Sequence, residues 1–266
     1  MPSVNLRGVD IRYEVQGEGT AVVFVPGFAT NLHLFDHQAG PVSTRYRAVR
    51  FDLRGHGQSS APPEGYSTAE YAEDLVALME HLNLGRAHIV AASMGGAIAV
   101  RLALRRPELV RSLVLAGAVI DGFEGWSEEY RSRLRRARKL AQTEGVAAAV
   151  ADWKTHPFFA ATRDLAAFFR VVLETSGASW LQRGRPEAPG VADIDRLREI
   201  EKPTLVVVGE KDVDPCKEIA DALVRLVPGA RRVVIAGAGH LPCWDQPEAF
   251  NRALLEFLAA QAPPAR

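Results

Sequence analysis

Three residues, Ser93, Asp212 and His240, have the types and the chain order that nucleophilic catalysis requires. A serine hydroxyl is a weak nucleophile, so it needs a base to take its proton, and the base needs an acid to orient it. Each of the three follows an apolar run that predicts a buried strand. Because loops that follow parallel strands emerge at the same edge of a sheet, we predict that these side chains converge into a catalytic triad.

Each triad candidate has a more common role when it is taken alone. A serine can be buried in an ordinary strand-to-helix turn, an aspartate can cap a helix, and a histidine can lie in a loop without chemical function. The nearby Asp214 precedes Pro215, which is typical of a turn or a helix start, so we assign the orienting acid to Asp212. The joint occurrence of three such residues at strand ends favours the triad.

The residues around Ser93 predict a sharp turn from a strand into a helix. An apolar run at 87–91 leads into it, and Gly95 and Gly96 open a helical pattern. In such a nucleophile elbow the turn exposes the serine, and the helix N-terminus beneath it favours a developing negative charge. Ala91 stands where the usual Gly-x-Ser-x-Gly pattern has its first glycine, and we expect the turn to survive this small replacement.

The elements that must position these residues alternate between apolar runs and helical patterns. Two short antiparallel strands are predicted within 4–16, and further strands at 21–25, 46–52, 87–91, 112–118, 204–208 and 231–236. Helices are predicted around 32–42, 71–82, 97–104, 217–226 and 247–260. This alternation predicts an α/β fold, in which a mostly parallel sheet carries helices on both faces.

Residues 119–193 interrupt the alternation, so we predict a core of residues 1–118 and 194–266 with a helical insertion. The helical stretches of the insertion are broken at Pro157, Gly177, Gly184, Pro186 and Pro189. Eight of the fifteen Trp and Phe residues of the chain lie in it. Most of these should pack against the core, and some should line an apolar pocket. We expect five aromatic residues to contact the substrate: Phe28, Trp126, Trp153, Phe158 and Phe159.

Five motifs together make the chain resemble the α/β-hydrolase superfamily over nearly its whole length. They are Pro26-Gly27-Phe28, Asp52-Leu53-Arg54-Gly55-His56-Gly57-Gln58-Ser59, Ala91-Ala92-Ser93-Met94-Gly95-Gly96, Gly209-Glu210-Lys211-Asp212 and Gly237-Ala238-Gly239-His240. The resemblance implies that the insertion is a lid. It also implies an oxyanion hole formed by the backbone N–H groups of Met94 and Phe28. Family members commonly have His-Gly where this chain has Pro26-Gly27, and we expect altered loop packing there rather than lost activity.

The serine at the elbow narrows the predicted reaction. The related haloalkane dehalogenases and epoxide hydrolases carry an aspartate at this position, whereas Ser93 favours acyl transfer to water. The leading prediction is therefore a cofactor-independent serine carboxylesterase that acts on small to medium esters. The sequence has no Gly-x-Gly-x-x-Gly fingerprint and no metal-ligand cluster, so we expect neither a cofactor nor a metal. For His56 we expect a role in loop packing rather than in catalysis.

Two other functions remain open from the sequence. The stretch 151–159 is similar to the lid of the menaquinone-pathway synthases, lyase-type members that use the same triad for elimination. Pro26-Gly27-Phe28 is similar to the hormone and stress-signal receptors of the superfamily, which hydrolyse slowly. The motif 52–57, in contrast, is more similar to the corresponding motif of the enzymatic branches than to that of the receptors. Turnover of a generic aryl ester would separate the esterase from the receptor.

A predicted helix at 127–141 carries many basic residues: Arg131, Arg133, Arg135, Arg136, Arg138 and Lys139. We expect a solvated face on which Glu128 and Glu129 pair with some of these side chains. The alternative is a docking surface for an acidic substrate or an acyl carrier. The pimeloyl-carrier methyl esterases, a branch of the same superfamily, offer a precedent for the alternative.

Composition gives no sign of a nucleic-acid or membrane partner. The 266 residues include 32 basic and 32 acidic side chains, and 47% of the chain is hydrophobic. No apolar run is long enough for a transmembrane helix, and the N-terminus lacks the apolar centre of a signal peptide. Two cysteines are too few for a disulfide framework. We therefore expect a cytoplasmic enzyme for a small-molecule ester, and a homodimer is compatible with the sequence.

Overall fold

The computed structural model describes residues 2–173, 177–181 and 192–261, and within them an eight-stranded sheet forms the centre of the fold. Its strands are β1 (Ser3–Leu6), β2 (Val9–Gln16), β3 (Ala21–Val25), β4 (Arg47–Phe51), β5 (Ala87–Ala92), β6 (Val110–Ala116), β7 (Thr204–Gly209) and β8 (Arg231–Ile235). Their order across the sheet is β1-β2-β4-β3-β5-β6-β7-β8. Only the pairings β1–β2 and β2–β4 are antiparallel, which confirms the mostly parallel sheet.

Nine α-helices lie within the described ranges. They are α1 (Asp36–Ser43), α2 (Thr68–His81), α3 (Met94–Arg105), α4 (Glu128–Thr143), α5 (Val146–Trp153), α6 (Leu165–Phe168), α7 (Asp214–Leu226), α8 (Pro242–Asp245) and α9 (Pro247–Ala259). Helices α2, α3 and α7 pack on one face of the sheet, and α1 and α9 pack on the other. Among the described residues, no helix combines the length and the hydropathy of a membrane span.

Strand β3 shows why the central strands have continuous apolar sequences. Val23 and Val25 pack into the core on the side of α2 and α3, while Val22 and Phe24 pack into the core on the side of α1 and α9. Successive side chains of a strand point to opposite faces, so a strand that is covered on both sides needs apolar residues at every position. All five residues of β3 are buried.

Helix α7 begins three residues earlier than the predicted start at 217. Its first residue is Asp214, and Pro215 lies in the first turn, where the missing N–H of a proline costs no helical hydrogen bond. The earlier start places Cys216 inside the helix and directs it toward the carboxyl edge of the sheet. Helices α2 and α3 likewise begin three residues before their predicted starts at 71 and 97, and the other predicted elements differ from the structure mainly by one or two residues at their ends.

The segment between β6 and β7 is helical in its described part and contains no strand there. It consists of α4, α5, α6 and short helical turns, including one at Pro157–Phe159 and one at Gly177–Trp180. Gly184, Pro186 and Pro189, at which the sequence predicts breaks, lie outside the described residues. Arg101 of α3 holds both ends of the segment, because Nε donates to Asp193 at 2.6 Å and an Nη donates to Asp121 at 3.1 Å.

Candidate active site

Ser93 occupies a strained turn between β5 and α3. Its φ of 53° and ψ of −121° lie in a region that only glycine adopts readily, which costs on the order of 1–3 kcal/mol. Three backbone hydrogen bonds hold the turn: Ser93 N–H donates to the carbonyl of Ala116, and the N–H groups of Gly96 and Val119 donate to the carbonyl of Ser93. The predicted elbow is therefore present, and the serine stands at the N-terminus of α3.

Small residues allow the elbow to pack this closely against its neighbours. A side chain at Gly95 would strike the carbonyl oxygens of Val25 and Pro26, and a side chain at Gly96 would come within 2.6 Å of Ala118. Ala91, in place of the first glycine of the usual pattern, is completely buried and keeps its register with β3 and β6. As expected, the turn accommodates alanine at this position.

The structure brings Ser93, Asp212 and His240 together although they lie on three separate loops. His240 Nε2 is 2.9 Å from Ser93 Oγ, and His240 Nδ1 is 3.0 Å from Asp212 Oδ1. Asp212 and His240 are buried, with 4% and 2% of their surfaces exposed. These distances match those of a nucleophile, a base and an orienting acid. Asp214 lies elsewhere, at the start of α7, with its side chain 89% exposed.

Cys216 is a neighbour of this triad that the sequence did not reveal. Its Sγ is 3.5 Å from His240 Nδ1. Burial, and then the negative charge of Asp212, raise the pKa of the Cys216 thiol far above its usual value, so the thiol stays neutral. Asp212, Cys216 and His240 each bring one potential metal ligand to within 4.8 Å of the others. Two of these ligands, however, already share the hydrogen bond that orients the histidine.

Asp245 fixes the loop that carries His240. Its carboxylate accepts the N–H of Gly239 at 2.8 Å and the N–H of Arg163 at 3.2 Å. Burial raises the pKa of Asp245 to about 6, although both hydrogen bonds oppose this shift. Arg163 belongs to the segment between β6 and β7, so one carboxylate connects that segment to the residue before the candidate base. The spacing of Asp245 after His240 gave no indication of this role.

The two predicted oxyanion-hole residues, Phe28 and Met94, both line the cavity beside Ser93. Met94 is the first residue of α3, and the N–H groups of a first helical turn have no partner within the helix. Within the described part of the chain, neither the Phe28 N–H nor the Met94 N–H donates a hydrogen bond to a protein acceptor. Gly27 adds room at this point, because a side chain there would come within 3.0 Å of Ser93 Cβ.

A cavity of about 310 Å³ opens over Ser93 and His240, between the sheet edge and the segment that follows β6. All five predicted substrate contacts line it: Phe28, Trp126, Trp153, Phe158 and Phe159. The ring of Phe158 stacks on the His240 imidazole at 4.1 Å. Phe159 contributes to packing as well, since it contacts Phe168 and Phe169 and is only 6% exposed.

The cavity also includes residues that the sequence analysis did not select. Tyr130, Leu134 and Arg138 of α4 line it. They follow one another at intervals of four, the spacing that places residues on one face of a helix. This spacing was the one feature of the sequence that could have indicated a cavity-lining face. It was hard to recognise because arginines occur on more than one face of α4.

The prediction of a solvated basic face on α4 is correct for some arginines and wrong for others. Arg133 pairs with Glu129, and Arg135 pairs with Glu128, as expected. Arg138 instead lines the cavity, where its Cζ lies 5.7 Å from the centre of the Phe28 ring. Burial lowers the pKa of the Arg138 guanidinium.

His56 is a packing residue, as predicted. It is fully buried, its Nδ1 lies 2.9 Å from the Arg54 carbonyl, and its ring contacts Phe28 edge-on. Burial lowers the pKa of His56 to about 4, so the ring is neutral at pH 7. Asp52, which starts the same motif, accepts the N–H groups of Leu32 and Gln58 and thereby shapes the loop.

The sheet order and the arrangement of Ser93, Asp212 and His240 agree with the family that the sequence motifs indicate. Residues 20–247 match the family described as the alpha/beta hydrolase fold. The chain belongs to the alpha/beta-hydrolase family, on its esterase-like branch.

Three similar proteins illustrate the range of activities in this family. A candidate 2-succinyl-6-hydroxy-2,4-cyclohexadiene-1-carboxylate synthase of Bacillus subtilis (strain 168) is 31% identical, over 98% of this chain and 100% of that protein. An esterase from Rhodococcus sp. ECU1013 superposes with a TM-score of 0.81 and 25% identity, over 98% of both chains. An enol-lactonase from Burkholderia xenovorans LB400 has the same TM-score and identity, over 97% of this chain and 100% of its own. The chain is an enzyme of the hydrolase class.

Proposed function

We propose that this enzyme is a serine hydrolase that cleaves small to medium carboxylic esters through an acyl-enzyme intermediate. The observation that carries the proposal is the position of His240, whose two ring nitrogens lie 2.9 Å from Ser93 Oγ and 3.0 Å from Asp212 Oδ1. One imidazole can therefore take the serine proton at Nε2 while Asp212 holds the other nitrogen protonated.

In the acylation step, Ser93 Oγ attacks the ester carbonyl and its proton passes to His240 Nε2. The negative charge that develops on the carbonyl oxygen is stabilised by the N–H groups of Met94 and Phe28, a contribution of roughly 3 kcal/mol per donor. The α3 N-terminus adds a favourable field at the same place. His240 then gives its proton to the leaving alcohol, and the acyl group remains on Ser93.

In the deacylation step, water takes the place of the alcohol. His240 removes a proton from the water, whose oxygen attacks the acyl carbonyl, and the same two N–H groups stabilise the second oxyanion. Proton return from His240 to Ser93 Oγ releases the acid. The ring of Phe158, which lies on His240, limits access of bulk water to the imidazole. No cofactor is required for either step.

The segment 119–193 acts as a lid in this proposal, because it supplies much of the apolar wall of the cavity. Trp126 and Trp153 come from it and line the cavity together with Phe28 and Ser93 of the core, and the Trp153 ring meets the Phe28 ring edge-on. A volume of about 310 Å³ matches a short acyl chain with its alcohol.

A panel of linear p-nitrophenyl esters, from acetate to palmitate, tests the function with the wild type and Ser93→Ala. We expect kcat/KM to rise by about fourfold for each buried methylene, to peak between butyrate and octanoate, and to fall for longer chains. Ser93→Ala should lose on the order of 10⁶ in kcat and keep its circular dichroism spectrum. Ser3→Ala, on the edge strand β1, is the matched control and should retain full activity.

Activity of Ser93→Ala within tenfold of the wild type would rule out the serine mechanism. A steady rise in kcat/KM up to palmitate would show a lipase-like tunnel instead of a small cavity. The similarity to a candidate synthase keeps elimination as the competing reaction of the same triad. If no ester is turned over while the fold is intact, that elimination chemistry or a receptor role replaces the esterase.

A further inference from the structure

Among the residues that the structure describes, Arg138 has no hydrogen-bonded oxygen partner, unlike the other arginines of α4. The others are all engaged: Arg131 with the carbonyls of Trp126 and Glu124, Arg133 with Glu129, Arg135 with Glu128 and Arg136 with Asp152. Within the described ranges, no carboxylate or carbonyl oxygen lies at hydrogen-bond distance from the Arg138 guanidinium. The guanidinium instead lies over the face of the Phe28 ring, and it interacts electrostatically with Tyr71.

The surroundings of Arg138 are mainly apolar, so a charged guanidinium without a hydrogen-bonded partner is unfavourable there. Tyr130, Leu134 and Arg138 share one face of α4, and all three line the catalytic cavity. Arg131 also contributes to the lining, whereas no Asp or Glu does so in the part of the chain that the structure describes. The cavity walls are otherwise mainly apolar, and burial lowers the pKa of the Arg138 guanidinium, which nevertheless remains charged at neutral pH.

We propose that Arg138 binds a carboxylate on the substrate, at a distance from the scissile carbonyl, so that the preferred substrates are esters or lactones that carry one free carboxylate. A guanidinium offers two parallel N–H donors that match a carboxylate, and the pair is strong where water is excluded. This inference rests on the proposed ester hydrolysis, since it names the substrate class of the same cavity. Phe28 supports the guanidinium from one side.

Two pairs of esters test which substrates the cavity selects. On the acyl side, the mono-p-nitrophenyl ester of adipic acid is compared with its methyl-capped diester. On the alcohol side, 4-carboxyphenyl butyrate is compared with phenyl butyrate. The wild type should prefer the charged member of at least one pair. Arg138→Leu should reduce that preference, as a ratio of kcat/KM values, by roughly 30-fold, mainly through KM.

Arg138→Lys and Arg135→Leu serve as comparisons. Lysine keeps the charge without the planar pair of donors and should restore part of the preference. Arg135 pairs with Glu128 and does not line the cavity, so Arg135→Leu should leave the preference unchanged. A change of less than about threefold in both ester pairs on Arg138→Leu would overturn the inference, while hydrolysis of the neutral esters would leave the proposed function standing.

A binding measurement separates failure of this inference from failure of the proposed function. Isothermal titration of hexanoate and hexanamide needs no turnover. The wild type should bind hexanoate about tenfold more tightly than hexanamide, and Arg138→Leu should bind both equally. Equal affinities for the two ligands in the wild type would contradict a carboxylate site even if esters are hydrolysed. A preference for hexanoate that disappears in Arg138→Leu would support the carboxylate site even if esters are not hydrolysed, whereas a preference that persists in Arg138→Leu would place the carboxylate elsewhere and contradict it.

Discussion

Asp212 and Asp214 are two positions apart and lie in opposite surroundings. Asp212 is buried against His240, while Asp214 starts α7 in solvent and lies 3.8 Å from Lys217. Asp212→Asn should lower kcat on the order of 10⁴-fold, because an amide cannot hold the imidazole in the correct tautomer. Asp214→Asn should stay within about threefold of the wild type, since exposed ion pairs contribute little. Steady-state kinetics on an aryl ester, with circular dichroism for each variant, provides the measurement.

A larger loss in Asp214→Asn than in Asp212→Asn would contradict the assignment of the orienting acid. The sequence was sufficient to make that assignment, because Asp212 follows a buried strand and Asp214 precedes a proline. It was not sufficient for Cys216 or Asp245. Their contacts with the His240 loop depend on where α7 begins and on how α8 folds back, and neither feature has a periodic pattern in the sequence.

At the scale of elements, buried strands and their order could be predicted, whereas the rotation of α4 could not. Runs such as 21–25 and 205–208 are apolar at every position because helices cover both faces of the sheet. Helix α4 has arginines on more than one face, so its composition does not indicate which face meets the core. Tertiary packing decides this, and it directs Tyr130, Leu134 and Arg138 into the cavity.

The pair His88 and Ser112, on the neighbouring strands β5 and β6, makes stability depend on pH. His88 Nδ1 lies 2.7 Å from Ser112 Oγ, and burial, with a smaller effect of Arg111, lowers the pKa of His88 from 6.5 to about 4. Between these values the unfolded chain binds a proton that the folded chain does not. The histidine therefore lowers the free energy of unfolding as the pH falls from about 6.5 to 4.

Replacing His88 should reduce this acid sensitivity. Chemical denaturation at several pH values should show that the slope of unfolding free energy against pH is smaller in His88→Gln, by up to about 1.4 kcal/mol per pH unit. His81→Gln, which changes an exposed histidine at the end of α2, is the control. If the free energy of unfolding had the same slope against pH in His88→Gln and His81→Gln between pH 6.5 and 4, His88 would not be the source of the acid sensitivity.

For the whole molecule, the site exists only because distant parts of the chain meet. The core supplies Ser93, Asp212 and His240, and the segment 119–193 supplies much of the cavity wall. Arg101 holds both ends of that segment to α3, and Asp245 holds its residue 163 to the His240 loop. The sequence predicted an insertion with many aromatic residues. How it lies on the core depends on contacts such as Phe158 on His240, which no local pattern encodes.

Covalent labelling tests the central claim, that Ser93 is a nucleophile activated by His240, most directly. The protein is treated with a fluorophosphonate, and the modified peptide is identified by mass spectrometry. We predict a single adduct on Ser93, formed at least about a hundredfold more slowly in His240→Gln, because the base that takes the serine proton is missing. An adduct on a different residue, or labelling of Ser93 at the same rate in His240→Gln, would contradict the claim.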